Sequence, residues 1–128
     1  MNEEIKKTAK PRRDDAAIAF RRYARLGFDK NKIKVFEAYS LIRGVSKSDE
    51  DAFKLLGVYD TMRLLSLTDP ESADAVRAVY FADRGRSPSA NQIGMRVLRY
   101  ATEHNCDHRT VYRRLRSAKE LYYYLISY

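Results

Sequence analysis

Apolar residues recur every three or four positions along nearly the whole chain, and strict period-two alternation is missing. That spacing marks the buried stripe of amphipathic helices rather than the alternating face of strands. Gly and Pro are few and fall mainly between the periodic stretches. The predicted fold is all-α, a compact multi-helix bundle of about six helices.

A first helix is expected to begin at Asp14 or Asp15, carry Ala17, Phe20 and Ala24 inward, and end at Gly27. A second, over about 31–43, presents Phe36, Tyr39 and Ile42 on one side and stops at Gly44. A third starts where Ser48 and Asp51 stand at capping-box spacing, with Ala52, Leu55, Leu56, Tyr59, Met62 and Leu65 inward. Gly57 in its interior, which costs about 1 kcal/mol relative to Ala, invites a break there. Thr68 and Glu71 repeat the capping spacing around Pro70 and open a fourth helix to about residue 83, packing Ala73, Val76, Val79 and Tyr80. After the break RGRSPS, Ser89 with Gln92 opens a fifth, with Val97, Leu98 and Ala101 inward.

The last helix has the clearest pattern. Val111, Leu115, Ala118, Tyr122 and Leu125 form one stripe at spacings of four and three, while Arg109, Arg113 and Arg116 fall on the opposite side and Tyr112 on a flank. A packed back and a cationic front are expected.

The stretch EHNCDHRT before it holds both histidines and the one cysteine, and it allows two readings. His104, Cys106 and His108 at alternate positions suggest metal ligands, with Asp107 as a fourth. The alternative is a turn: Asn105 takes the left-handed conformation that ends one helix, Cys106 points inward as a small hydrophobe, and Asp107 caps the next helix. Structural zinc sites usually draw ligand pairs from two separated segments, and this chain has no second pair. The spacing therefore favours the turn, and neither a metal nor a cofactor is expected. A catalytic Cys106 with His104 or His108 lacks an orienting group, so no enzyme activity is expected either.

A helix, a short turn with one buried apolar residue, and a capped second helix with exposed cations form the layout of a helix-turn-helix, with Ala101 small where the two helices cross. The bundle is thus expected to end in one. Charge agrees: residues 1–30 hold nine Lys/Arg against five Asp/Glu, residues 31–83 seven against nine, and residues 84–128 nine against three. The surplus in the net charge of +8 sits at the C-terminal end, as for a polyanion-binding surface carried on a near-neutral support. This divides the chain into a basic arm (1–13), a helical segment for support or partner binding (14–66) and the helix-turn-helix segment (67–128).

DHRTVYRRLRSAKEL resembles the recognition helix of sigma-factor region 4, and more closely that of phage late-transcription regulators of the ArpU/RinA type. The likeness is sharpest over 105–121 and looser back to Asp69. It implies a phage- or mobile-element-encoded transcription regulator that contacts promoter DNA, RNA polymerase or both. The residues themselves assign Arg109, Tyr112 and Arg113 to base edges, with His108, Arg114 and Arg116 on phosphates. Double-stranded DNA is the expected partner. A helical module docking on RNA polymerase or another protein is the alternative, and a small-terminase-like DNA-packaging adaptor the third reading.

The C-terminal LYYYLISY is expected either to mediate a homodimer or to dock on the N-terminal helices. The first residues are charged and lack the apolar core of a signal peptide, and no run suits a membrane span. With a single cysteine, the expected setting is cytoplasmic.

Overall fold

A computed structural model of the chain describes residues 14–29, 33–81 and 90–127, the side chains of residues 90 and 91 excepted. The expected basic arm (1–13), the Ser89 start signal and Tyr128 lie outside the described residues. Six helices run in the order α1 (Asp15–Arg25), α2 (Val35–Val45), α3 (Asp49–Thr68), α4 (Pro70–Tyr80), α5 (Ala90–Glu103) and α6 (His108–Ile126). No strand occurs among the described residues. The protein is an all-α multi-helix fold.

Asp14 caps α1 by accepting the Ala17 amide at 3.0 Å, and Gly27 leaves the helix with a φ of 83°. Ala16, Ala17, Ala19 and Ala24 are buried, so the backbone of α1 lies close to its neighbours. Phe20 reaches past them to meet Tyr80 and Tyr122 edge-on, at 5.7 and 5.8 Å between ring centroids. α1 thereby touches α3, α4 and α6.

α2 departs from expectation. It starts at Val35 and runs through Gly44 to Val45, where the Ser46 hydroxyl donates to the Ile42 carbonyl. Only Ala38 and Ile42 are buried; Phe36 and Tyr39, expected beside Ile42 on the packed side, are exposed. The reason is coverage. Among the described helices α2 packs on α3 alone, so only the line through Ala38 and Ile42, one turn apart, is covered.

α3 is capped by Ser48, whose hydroxyl accepts the Asp51 amide at 3.1 Å. The Asp51 carboxylate accepts the Lys47 amide at 2.8 Å and a forked pair of bonds from Arg22, from Nε at 2.9 Å and Nη2 at 2.6 Å. The Arg22 guanidinium, with the Lys47 amide, holds the Asp51 carboxyl below its ordinary range. A carboxyl lowered in the fold stabilises it above the unfolded pKa and stops doing so in acid. Arg22→Met is expected to cost about 1 kcal/mol at neutral pH. The gap from wild type should close as pH falls below about 4 in urea melts run as a pH series.

The third helix runs through Gly57, as its apolar pattern predicts. α3 is continuous, and Gly57 is where α6 crosses it: a Cβ there would stand 2.6 Å from Ile126 Cγ2 and 3.1 Å from Tyr122 Cε1. The helix-propensity cost of glycine is offset by this close approach.

The start of α4 also differs by one residue. Asp69, not Thr68, is the N-cap, accepting the Ser72 amide at 3.3 Å and the Ser72 hydroxyl at 2.6 Å. Thr68 still belongs to the last turn of α3, where its hydroxyl donates to the Leu64 carbonyl at 2.8 Å, whereas Asp69 has the non-helical backbone of a cap. Asp69 ends α3 and begins α4 with no loop between them.

The expected inward set of α4 is buried, and α4 contacts α1, α3, α5 and α6. In α5, Val97 and Ala101 are buried as expected, whereas Leu98 is exposed and its inward place is taken by Tyr100. The segments 14–66 and 67–128 share one core, because α6 packs on α1 and α3 as well as on α4 and α5.

Candidate nucleic-acid interface

The junction between α5 and α6 is built from backbone hydrogen bonds. The Cys106 amide donates to the Ala101 carbonyl at 2.9 Å and the Asn105 amide to the Thr102 carbonyl at 3.3 Å. These are the two bonds of a Schellman helix end, closed around Asn105 at a φ of 52°. Asn105 is the one non-glycine described residue with positive φ. Alanine tolerates the left-handed region less well than asparagine does, so Asn105→Ala is expected to cost about 1 kcal/mol. Asn105→Gly should be close to neutral in the same thermal melts.

Asp107 caps α6 as the sequence predicts, although it accepts only the Arg109 amide, at 2.9 Å, rather than three amides. That bond and one from the Arg109 guanidinium, at 3.1 Å, hold its carboxyl below the ordinary range. Cys106 is half-buried against the core.

The three spaced ligand candidates do not come together. His104 stacks on Tyr100 at 3.9 Å, its Nδ1 lies 2.9 Å from the Tyr100 carbonyl, and its Nε2 lies 3.7 Å from Asp74 on α4. His108 leans toward Asp107 at 3.3 Å and meets Tyr112 edge-on. Among the described residues no cluster of three His, Cys, Asp or Glu side chains is placed to hold a metal ion.

α6 is locked in rotation by its back. Val111, Leu115, Ala118 and Tyr122 are buried, and Leu125 is half-buried. Tyr123 fixes the far end, its hydroxyl accepting the Ala16 amide of α1 at 3.0 Å. Tyr122 and Tyr123 thus dock on the N-terminal helix, one of the two roles expected of the C-terminal stretch.

With the back fixed, the front follows. Arg109, Tyr112, Arg113 and Arg116 are exposed over the first turns, with His108 at the helix start. Arg113 and Arg116 form no ion pair among the described residues. Glu120 is exposed one turn beyond Arg116 and marks the end of the cationic front.

Arg114 is the exception among the six predicted residues. It turns toward α4, 3.6 Å from Glu71, on the wall of a recess of about 470 Å³ that Asp74, Tyr100 and His104 also line. Tyr100 donates to Asp74 there at 2.7 Å, and burial together with that bond pushes its hydroxyl up to about 12. Arg99, absent from the site residues the sequence suggests, is exposed on α5 and adds a further cation beside the junction. Its signal was in the sequence, as an arginine on the side away from Val97 and Ala101. A larger cleft of about 550 Å³, bounded by Tyr23, Phe28, Tyr59 and Phe81, takes no wall from α5 or α6.

Fold and site together define an all-helical protein whose last helix is presented, cations outward, on a capped four-residue junction. Comparison with protein-family models, curated proteins and solved structures finds no match to the chain. Among the described residues no helix is long and apolar enough to cross a membrane.

Proposed function

We propose that this chain is a sequence-specific DNA-binding transcription regulator that acts by binding, without catalysis. In this reading α5 and α6 form a helix-turn-helix and the first turns of α6 enter the major groove. The supporting observation is the set Arg109, Arg113 and Arg116 on the exposed side of a helix whose opposite side is buried. Arg109 and Arg113, one turn apart, reach guanine edges, and Tyr112 reaches a thymine methyl. His108 and Arg116 hold phosphates and set the register. Arg114, paired with Glu71, braces α6 against α4. The sequence resemblance adds that the chain is phage- or mobile-element-encoded.

A second reading, docking on RNA polymerase or another protein, draws support from Met95 and Leu98, exposed on α5 at 62% and 57%. Fluorescence anisotropy separates the two, with labelled duplexes from the DNA flanking the gene titrated over a salt series. The DNA reading predicts selective binding whose logarithm falls linearly with log salt, with a slope of about 0.9 per phosphate neutralised. No binding at low salt would overturn it and leave the docking reading.

A further inference from the structure

We infer that the α2–α3 hairpin is the surface through which two copies of this chain pair about a two-fold axis. α3 carries apolar side chains on two of its sides. One side, with Leu55, Val58, Met62 and Leu65, lies in the core. The other carries Phe53, Leu64 and Leu67, exposed around a central Asp60, with Leu56 between them partly buried against the core. Leu67 is 79% exposed and Phe53 45%. An apolar stripe at helical spacing is the side that a helix buries. The fold covers only one of the two sides.

The same hairpin exposes Val35, Phe36 and Tyr39 on α2, the helix that packs on nothing but α3 among those described. With aromatic side chains presenting ~150–250 Å² each, the apolar surface exposed along the two helices sums to on the order of 600 Å² per copy. It approaches the ~800 Å² that each partner contributes to a standard interface.

Charge selects a second copy as the occupant. Asp60 and Arg63 stand one turn apart near the middle of the stripe, 3.7 Å from each other and both partly exposed. A two-fold pairing near that point sets Asp60 of each copy beside Arg63 of the other, the reciprocity an isologous interface requires. Burial already pushes the Asp60 carboxyl upward, and a second guanidinium would offset that. The segment 31–83 carries seven basic against nine acidic residues, so the hairpins can meet while the strongly cationic 84–128 ends stay free. The same balance makes DNA or an anionic membrane a poor occupant.

The test is the solution mass of the full chain without DNA, by light scattering and sedimentation over a wide concentration range. Wild type is expected at twice the chain mass of 14.9 kDa. Leu64→Glu/Leu67→Glu should weaken pairing about 100-fold or more, with helical circular dichroism unchanged because both sites are exposed, and with melting lowered only to that of wild type diluted to monomer. Asp60→Arg and Arg63→Asp should each weaken it alone, and mixing the two variants should restore the paired mass. A monomeric wild type at every concentration would overturn the inference and point to a foreign protein on this face. So would a larger assembly, a Leu64/Leu67 variant that still pairs, or a mixture that fails to recover. None of these outcomes bears on whether α6 binds DNA.

Discussion

Phe20→Ala is expected to cost about 3–5 kcal/mol, a large share of the stability of a domain this size. Phe20 is fully buried, and its ring is the one that meets both Tyr80 and Tyr122, so it ties α1 to α4 and α6 at a single point. The alanines around it in α1 are too small to close the gap. Loss of the transfer energy and a residual cavity therefore add. In urea the midpoint should fall with little change in slope, and the melting temperature should drop by roughly 10–20 °C. Phe20→Leu, which refills most of the volume, should recover more than half of the loss. A cost below about 1 kcal/mol would mean that α1 is not integral to the core.

The second large effect concerns binding. Arg109→Ala/Arg113→Ala is expected to reduce affinity for the selected duplex by about 100-fold or more, at one to three kcal/mol for each base-reading arginine. The fold should be untouched, since both residues are exposed and, among the described residues, the Arg109 side chain bonds only to its own helix cap. Binding to unrelated DNA should fall much less, so the selectivity ratio is the quantity to read. Asp107→Asn makes a useful companion. It keeps an acceptor for the Arg109 amide while weakening the hold on the Arg109 guanidinium, so selective binding should be retained or improved. Selectivity that survived the double arginine change would place the reading surface elsewhere.

What could be read from the sequence was what a local rule decides. The left-handed Asn105, the Asp107 cap and the buried stripe of α6 each depend on residues a few positions apart, and all three are present. Rules that several residues satisfy equally were less secure. Thr68 and Asp69 are both good caps, and Asp69 takes the role because α3 runs on through Thr68 and the chain leaves the helical conformation at Asp69. Coverage is invisible to periodicity. Phe36, Tyr39 and Leu98 fit apolar stripes yet are exposed, because burial depends on which helix lies alongside. Gly57 is the reverse case: its apparent weakness in α3 is explained only by Tyr122 and Ile126, more than sixty positions away. In the candidate interface the exposed arginines followed from the stripe, whereas the turning of Arg114 toward Glu71 did not, since that partner belongs to a different helix.

The α5–α6 junction also acts as a phase lock. Successive residues of a helix are set about 100° apart around its axis. A single residue inserted among 104–107 would therefore ask α6 either to carry Arg109 and Arg113 round toward the core or to keep its stripe seated and break the bonds at Ala101 and Thr102. Neither alternative leaves a working surface. Chains descended from the same ancestor should hold the length of this junction fixed while their charges drift, so its spacing, more than its residue identities, is the mark by which they can be recognised.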